Sequence, residues 1–153
     1  MTDKELNYTQ LLKEATALLD GETDLIANMA NLAALIHETM GFWWTGFYIV
    51  RTGKDGTEQL VLGPFQGPIA CTRIALGRGV CGTAWQRRET IVVPDVEKFP
   101  GHIACSSESR SEIVIPVFKA DKVSAVLDID SRNLDTFDET DASYLEQILK
   151  LLH

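Results

Sequence analysis

The chain has 153 residues, a formal net charge of −8 and an apolar content of 45%. Its length corresponds to about one domain, and its apolar content is sufficient for a hydrophobic core. The acidic balance excludes nucleic acid and anionic membrane surfaces as expected partners, because the sequence has no cluster of basic residues to neutralise phosphates. We therefore expect a small substrate or another protein as the partner.

The amino-terminal sequence lacks the basic and apolar segments of an export signal, and no apolar stretch approaches the ~20 residues of a membrane span. We expect a cytoplasmic protein. The three cysteines are Cys71, Cys81 and Cys105, and an odd number without an export signal predicts reduced thiols at rest and only transient disulfides. Their spacing does not match a zinc site, so no metal is predicted.

Two helices are predicted at the start of the chain. Leucines at helical spacing predict the first over 3–20, and an apolar stripe predicts the second over 25–40. Thr23 or Asp24 can cap the start of the second helix, and Gly41 can supply the left-handed residue that ends it.

An antiparallel hairpin is predicted next. Aromatic and β-branched residues predict strands at 42–50 and 58–65, and the glycine-containing segment 52–56 between them is typical of a tight turn. A third strand is predicted at 70–76.

The sequence GRGVCG at 77–82 matches the glycine pattern of a dinucleotide-binding turn. The helix predicted after it, over 80–89, has only about two turns and leads directly into a predicted strand at 90–93. A parallel crossover needs about ten to twelve residues or more, and the surrounding hairpins favour an antiparallel sheet. We interpret the motif as a tight strand-to-helix turn that requires glycine.

A polar loop and a second hairpin complete the sequence. Residues 94–109 contain two prolines, a glycine and three serines, which predicts a long loop, and such loops are often functional. Strands are predicted at 110–118 and 123–130. An amphipathic helix with an acidic first turn is predicted at 138–152.

Acidic residues share one face of the second hairpin. Because side chains alternate along a strand, Asp128 and Asp130 point to the same side. The other side of this strand is apolar and carries Val123, Ala125, Leu127 and Ile129. A turn around Asp121 would place Glu112 opposite Asp130 and diagonal to Asp128, which is unfavourable for three ionised groups. We hypothesise that at least one of them is protonated at neutral pH, whereas on an exposed face all three would simply be solvated.

Trp44 and Tyr48 lie four residues apart in the first predicted strand and therefore share a face. They can form the apolar wall of a pocket whose other wall is acidic, or they can be ordinary core residues.

Each cysteine can have a structural or a functional role. Cys71 and Cys81 can be small buried apolar residues, whereas burial is difficult for Cys105 among serines. His102 lies three residues before Cys105, so a cysteine hydrolase that uses this pair is an alternative.

Five segments together resemble the free methionine-(R)-sulfoxide reductases, enzymes built on a GAF domain. The segments are WWTGFYIV, LGPFQGPIACTRIALGRGVCGTAW, VVPDV, FPGHIACSSESRSEIVIPV and LDIDS. The resemblance implies an α+β fold with a six-stranded antiparallel sheet and helices packed mainly on one side. It implies a single GAF domain over 1–153, with helices in 1–40, the sheet and active-site loops in 42–130 and a final helix in 138–152. A non-catalytic GAF domain that senses a small ligand or redox state is the alternative.

The resemblance further implies reduction of free L-methionine-(R)-sulfoxide to methionine. Cys105 would be the nucleophile that attacks the sulfoxide sulfur and becomes a sulfenic acid. Glu112 would protonate the departing oxygen, and Asp128 and Asp130 would bind the substrate amine and polarise the substrate.

The same resemblance implies that the S-methyl group of the substrate lies against Trp44 and Tyr48, under a covering loop at 63–71. Cys71 would be the principal resolving cysteine and Cys81 the second, forming a disulfide that thioredoxin reduces. No bound cofactor is expected, and a homodimer through the terminal helices is compatible with such a domain.

Overall fold

The structure of the protein, a computed structural model, describes residues 1–102 and 107–152. The α-helices in these ranges are α1 (Asp3–Leu19), α2 (Leu25–Met40), α3 (Gly79–Arg87) and α4 (Glu139–Leu149), and a short 3₁₀ helix spans Val96–Lys98. The strands are β1 (Trp44–Thr52), β2 (Glu58–Gln66), β3 (Arg73–Ile74), β4 (Ile91–Val93), β5 (Ser111–Lys119) and β6 (Lys122–Ser131). Within the described ranges, no helix has both the length and the apolar character that crossing a membrane requires.

The caps predicted for the second helix are present. The Asp24 carboxylate accepts a hydrogen bond from the Ala27 amide at 2.8 Å, so Asp24 rather than Thr23 begins α2. Gly41 ends the helix in the left-handed conformation, with a φ of 71°, and its N–H donates to the His37 carbonyl.

The six strands form one antiparallel sheet in the order β3-β2-β1-β6-β5-β4. The hairpin of β5 and β6 turns at Asp121, which has a φ of 64°. It pairs Glu112 with Asp130 and Val114 with Asp128. The predicted α+β fold is confirmed, and the acidic residues have the predicted register.

The two faces of this sheet are covered differently. Helices α1, α2 and α4 pack on one face around a large apolar core that includes Leu11, Ile36, Phe47, Leu127 and Leu145. Helix α3 lies on the other face, where a second core includes Trp44, Val80, Trp85, Val114 and Val126. Strands β1, β5 and β6 therefore contribute side chains to both cores, and their predicted site residues lie on the face of the second.

The third strand is much shorter than the predicted 70–76. Only Arg73 and Ile74 pair with β2. On one side, the Cys71 carbonyl accepts a hydrogen bond from the Tyr48 hydroxyl, and on the other, the Ala75 carbonyl accepts one from the turn that precedes α3. The Thr72 carbonyl, directly before β3, still accepts from the Leu62 N–H of β2 at 2.9 Å, so the pairing ends where the Cys71 and Ala75 carbonyls take these other donors.

The predicted orientation of Val123 is also wrong. The pairing of β5 with β6 passes from Val117 opposite Ala125 to Phe118 opposite Val123, which leaves Ser124 as the extra residue of a bulge. The alternation of side chains shifts by one at this point, so Val123 joins the second core instead of the first.

Candidate active site

Glu112, Asp128 and Asp130 lie on the sheet face that carries α3. Glu112 and Asp128 are each 6% exposed, and Asp130 is half-buried. The alternative of a solvated acidic face is therefore wrong. Burying several ionised carboxylates side by side costs free energy. At least one carboxyl group must therefore hold a proton, or a bound molecule must pair with the carboxylates.

Burial is the main cause of the raised pKa of all three carboxyl groups. The negative charge of Asp128 raises the pKa of Glu112 and of Asp130 further. The Ser109 hydroxyl opposes the rise at Asp130, because it donates a hydrogen bond to Asp130 Oδ1 at 3.0 Å. The raised pKa values favour retention of a proton within the group, in agreement with the hypothesis of a protonated carboxyl.

One oxygen of this group has no hydrogen-bond partner among the described residues. It is Oδ1 of Asp128, which is buried. Leaving a buried acceptor without a donor costs about 1–3 kcal/mol. A bound molecule that supplies an N–H or O–H would remove this cost, so Asp128 is oriented for a ligand that donates hydrogen bonds.

Trp44 and Tyr48 form an aromatic wall beside the acids. Their ring centroids are 6.1 Å apart, and Phe65 stacks on Trp44 with a centroid distance of 5.3 Å. Gly46 permits this packing, because a Cβ at that position would lie 2.4 Å from the Phe65 Cβ and 2.6 Å from the Trp44 ring. The predicted common face of Trp44 and Tyr48 is observed, and these residues combine core packing with a place at the cavity.

The same two aromatic side chains hold the segment 68–71 over the sheet. Trp44 Nε1 donates to the Pro68 carbonyl at 2.8 Å, and the Tyr48 hydroxyl donates to the Cys71 carbonyl at 2.8 Å. The segment lies within the loop predicted to cover a ligand. Its first three residues line the cavity below.

A cavity of about 60 Å³ lies between the aromatic wall, the acids and α3. The predicted site residues that line it are Trp44, Tyr48, Cys81, Glu112, Asp128 and Asp130. The structure thus brings together side chains from β1, α3, β5 and β6 that are far apart in the sequence. An apolar wall facing an acidic wall can bind a small molecule with one apolar and one cationic end.

The cysteines differ in state. Cys71 is half-buried and disulfide-bonded, whereas Cys81 is a buried free thiol. The structure therefore differs from the reduced state expected for Cys71. Burial, followed by the charges of Asp128 and Glu112, raises the pKa of the Cys81 thiol, which disfavours the reactive thiolate. The predicted nucleophile Cys105 lies outside the described residues.

His102 lies beside the acidic group. Its Nε2 is 3.9 Å from Glu112 Oε1. Burial lowers the pKa of His102, and the charge of Asp128 only partly opposes this effect. A neutral imidazole is therefore favoured near neutral pH, which leaves Glu112 as the better proton donor of the pair.

One group of side chains has a geometry that could hold a metal ion. The Cys81 sulfur and one oxygen each of Glu112 and Asp128 lie within 4.8 Å of one another, and all three residues are buried. The spacing of the cysteines in the sequence did not predict this cluster, because two of its three members are carboxylates from the β5–β6 hairpin.

Sequence reasoning missed several residues of the cavity. Arg78, Gly79 and Val80 line it from the start of α3, and Trp43 and Ser109 line it from the rim. The signal for the first three was the GRGVCG motif. The motif is the predicted strand-to-helix turn, with positive φ at Gly77 and Gly79, but it also forms part of the cavity.

Comparison with known proteins identifies the family. The family model for the GAF domain matches residues 22–152. GAF domain-containing protein A of Dictyostelium discoideum is 59% identical over 149 residues, which cover 97% of this chain and 92% of that protein. The free methionine-R-sulfoxide reductase of Saccharomyces cerevisiae is 42% identical over 157 residues, which cover 99% of this chain and 86% of the yeast protein.

A solved structure extends the comparison to three dimensions. The free methionine-R-sulfoxide reductase of Neisseria meningitidis, in complex with its substrate, superposes with a TM-score of 0.93 at 50% sequence identity. The match covers 99% of this chain and 89% of the Neisseria chain. On these grounds the chain belongs to the free methionine-R-sulfoxide reductase family, whose members are GAF domains.

Proposed function

We propose that this protein reduces free L-methionine-(R)-sulfoxide to methionine in the cavity between the acidic group and the aromatic wall. The observation that carries the proposal is the enclosure of Glu112, a carboxyl group with a raised pKa, opposite Trp44 and Tyr48. Sulfoxide oxygen leaves readily only when it is protonated, and a carboxyl that keeps its proton near neutral pH can supply that proton. Related proteins with the corresponding name support the choice of substrate.

In the proposed first step, the Cys105 thiolate attacks the sulfoxide sulfur while Glu112 protonates the oxygen. The sulfur–oxygen bond of the substrate breaks as its protonated oxygen is transferred to the Cys105 sulfur, so that methionine is released and Cys105 becomes a sulfenic acid. The sulfoxide gains two electrons and the cysteine loses two. The aromatic wall would hold the S-methyl group and the aspartates would bind the ammonium group, which together would select one sulfoxide epimer.

In the proposed second step, the Cys71 thiol attacks the sulfenic acid sulfur. A disulfide forms between Cys71 and Cys105, and the hydroxyl leaves as water. Reduced thioredoxin then exchanges with the disulfide and restores both thiols. Two observations support Cys71 over Cys81 as the principal partner: Cys71 is disulfide-bonded in the structure, and Cys81 is a free buried thiol with a raised pKa. All steps use thiols, so the proposal requires no bound cofactor.

The test couples the reaction to NADPH through thioredoxin and thioredoxin reductase. We expect NADPH consumption with free L-methionine-(R)-sulfoxide and none with the S epimer or a peptide-bound sulfoxide. Cys105→Ser should abolish consumption. Binding of the sulfoxide without NADPH consumption, by folded and reduced protein, would contradict the proposal and indicate a sensing domain.

A second measurement separates the two resolving candidates. In a single turnover without thioredoxin, reduced Cys71→Ser should still release about one equivalent of methionine, because it retains the nucleophile. With thioredoxin present, its steady turnover should be lost, whereas Cys81→Ser should keep most of it. The reverse pattern would reassign the resolving role to Cys81. Light scattering of the same preparations tests whether the protein forms the homodimer that is compatible with such a domain.

A further inference from the structure

The cavity is asymmetric in charge. Its floor carries the three acidic side chains of β5 and β6, whereas the first turn of α3 forms another part of its lining through Gly79, Val80 and Cys81. Arg78, which directly precedes this turn, also lines the cavity and is itself exposed to solvent. The acidic floor can bind a cationic group of a ligand. Arg78 and the start of α3 carry the opposite charge and need a different, anionic group.

The start of α3 is able to bind an anion. The helix has nine residues, and among the described residues no side chain makes a capping hydrogen bond to its first turn. Its first internal backbone bond runs from the Gly82 N–H to the Arg78 carbonyl. The N–H groups of Gly79, Val80 and Cys81 therefore take no part in the hydrogen bonding of the helix, and the helix dipole places partial positive charge at this end.

Asp128 Oδ1, which has no hydrogen-bond partner in the part of the chain that the structure describes, is an independent indication of a ligand in the same cavity. This oxygen requires a hydrogen-bond donor on the ligand. The positively polarised N-terminus of α3 requires an acceptor on the same ligand. A molecule that carries an ammonium group and a carboxylate on one carbon satisfies both needs. Free α-amino acids have this structure, and residues within a peptide have neither charge.

We propose that Arg78 and the N-terminus of α3 bind the carboxylate of the free amino-acid substrate, opposite the aspartates that receive its ammonium group. This inference rests on the proposed function and adds the determinant of selectivity for the free amino acid. A helix N-terminus binds carboxylates through its free N–H groups, and the Arg78 guanidinium adds charge-assisted hydrogen bonds. A peptide-bound methionine sulfoxide would lose both interactions.

The test compares the free acid with its carboxamide, L-methionine-(R)-sulfoxide amide, which keeps the ammonium group and the sulfoxide. In the wild type we expect kcat/KM to be about tenfold or more lower for the amide, as for the loss of a charged hydrogen bond. Arg78→Gln should lower kcat/KM for the free acid about threefold to tenfold, mainly by raising KM, because the side chain is exposed. Its kcat/KM for the amide should fall by a smaller factor than for the free acid, because the amide has no negative charge for the guanidinium to pair with.

Two further variants complete the design. Arg78→Lys keeps the charge and should recover part of the loss for the free acid. Arg73→Gln removes another exposed arginine, which lies in β3 next to the cavity-lining Ile74 but does not itself line the cavity, and should leave both substrates unaffected.

Three results would overturn the inference. They are equal reduction of both substrates by the wild type, an equal loss for both substrates in Arg78→Gln, and a loss in Arg73→Gln as large as that in Arg78→Gln. Each of them leaves the proposed function in place, since the free acid is still reduced. Absence of turnover by the wild type with any sulfoxide would contradict the proposed function, and the inference would fall with it.

Discussion

Two buried aspartates on opposite faces of the sheet have opposite surroundings. Asp141 of α4 is fully buried and accepts hydrogen bonds from the Tyr8 hydroxyl at 2.5 Å, Lys4 Nζ at 2.7 Å and the Asp138 N–H at 2.9 Å. Asp128 of β6 is nearly as buried, but its Oδ1 has no partner among the described residues, and its neighbours are further carboxyl groups.

The comparison distinguishes an acidic residue that stabilises the fold from one that serves the candidate active site. At Asp141 the chain itself supplies the donors and the cation, so the carboxylate joins α1 to α4 and stabilises the fold. At Asp128 the described residues supply further carboxyl groups and the Cys81 thiol, and they leave one buried acceptor without a donor, which lowers stability unless a bound molecule compensates. Substitution on the first face should therefore affect stability, and substitution on the second should affect activity.

The largest effect is expected from Glu112→Gln. Glutamine keeps the shape of the side chain but cannot transfer an acidic proton, so kcat for sulfoxide reduction should fall about 10²–10⁴-fold. The free energy of unfolding should be unchanged or higher, because glutamine stays uncharged beside Asp128 at every pH, whereas Glu112 must hold a proton to do so. Stopped-flow single turnovers and urea denaturation measure the two quantities. Glu38→Gln, an exposed change in α2, is the control. If Glu112→Gln kept full activity and had a lower free energy of unfolding, Glu112 would stabilise the fold and take no part in the reaction.

Asp141→Ala should give the opposite result. It leaves the Tyr8 hydroxyl and Lys4 Nζ without their acceptor, and we expect the free energy of unfolding to fall by about 2–4 kcal/mol. The lower end applies if Lys4, whose side chain is 32% exposed, regains water. Folded protein should retain its turnover at 25 °C. Urea denaturation measures the loss, with Asp20→Ala, an exposed aspartate after α1, as the control. A loss of turnover in folded Asp141→Ala would remove the distinction between the two faces.

Much of this comparison could be predicted from the sequence, because it depends on local rules. Strand alternation and a turn at Asp121 were sufficient to place Glu112 opposite Asp130. Helix caps at Asp24 and Gly41 followed from residue type. The limits of local rules are equally visible at the bulge near Val117, since an extra residue in one strand leaves no pattern that separates it from regular alternation.

The rest of the site depends on contacts between distant residues. The cavity beside the acids is lined in part by residues 68–70, and two aromatic side chains more than twenty positions away along the chain hold this segment in place. The role of Arg78 depends on where the turn before α3 meets the acidic face of the sheet. Neither contact has a local sequence signal, and the glycine motif at 77–82 indicated only the turn itself.

The pH dependence of stability should separate the faces again. Glu112 has a raised pKa in the folded state, so above its ordinary pKa of about 4.3 the native protein binds more protons than the unfolded chain. Its stabilising contribution is complete below that pH and is lost as the pH rises through the folded pKa. Stability of the wild type should fall by up to about 1.4 kcal/mol per pH unit over this range for each carboxyl that stays protonated. Urea denaturation from pH 5 to pH 8, with reductant present, should show a shallower slope in Glu112→Gln. Identical slopes would exclude the raised pKa.

The smallest effects are expected from removing one hydroxyl on each face. Tyr8→Phe deletes a hydrogen bond to the Asp141 carboxylate and should cost about 1.5–3 kcal/mol of unfolding free energy, because the acceptor is charged. Tyr48→Phe deletes a hydrogen bond to the neutral Cys71 carbonyl and should cost only about 0.5–1.5 kcal/mol. The second change should nevertheless raise KM, since that hydroxyl holds the segment over the cavity, whereas Tyr8→Phe should leave KM unchanged. The two variants differ from the wild type by the same single oxygen, so their opposite effects on stability and KM would assign each face its role without any change in charge. Equal stability costs together with equal KM values in the two variants would contradict the division of roles between the two faces.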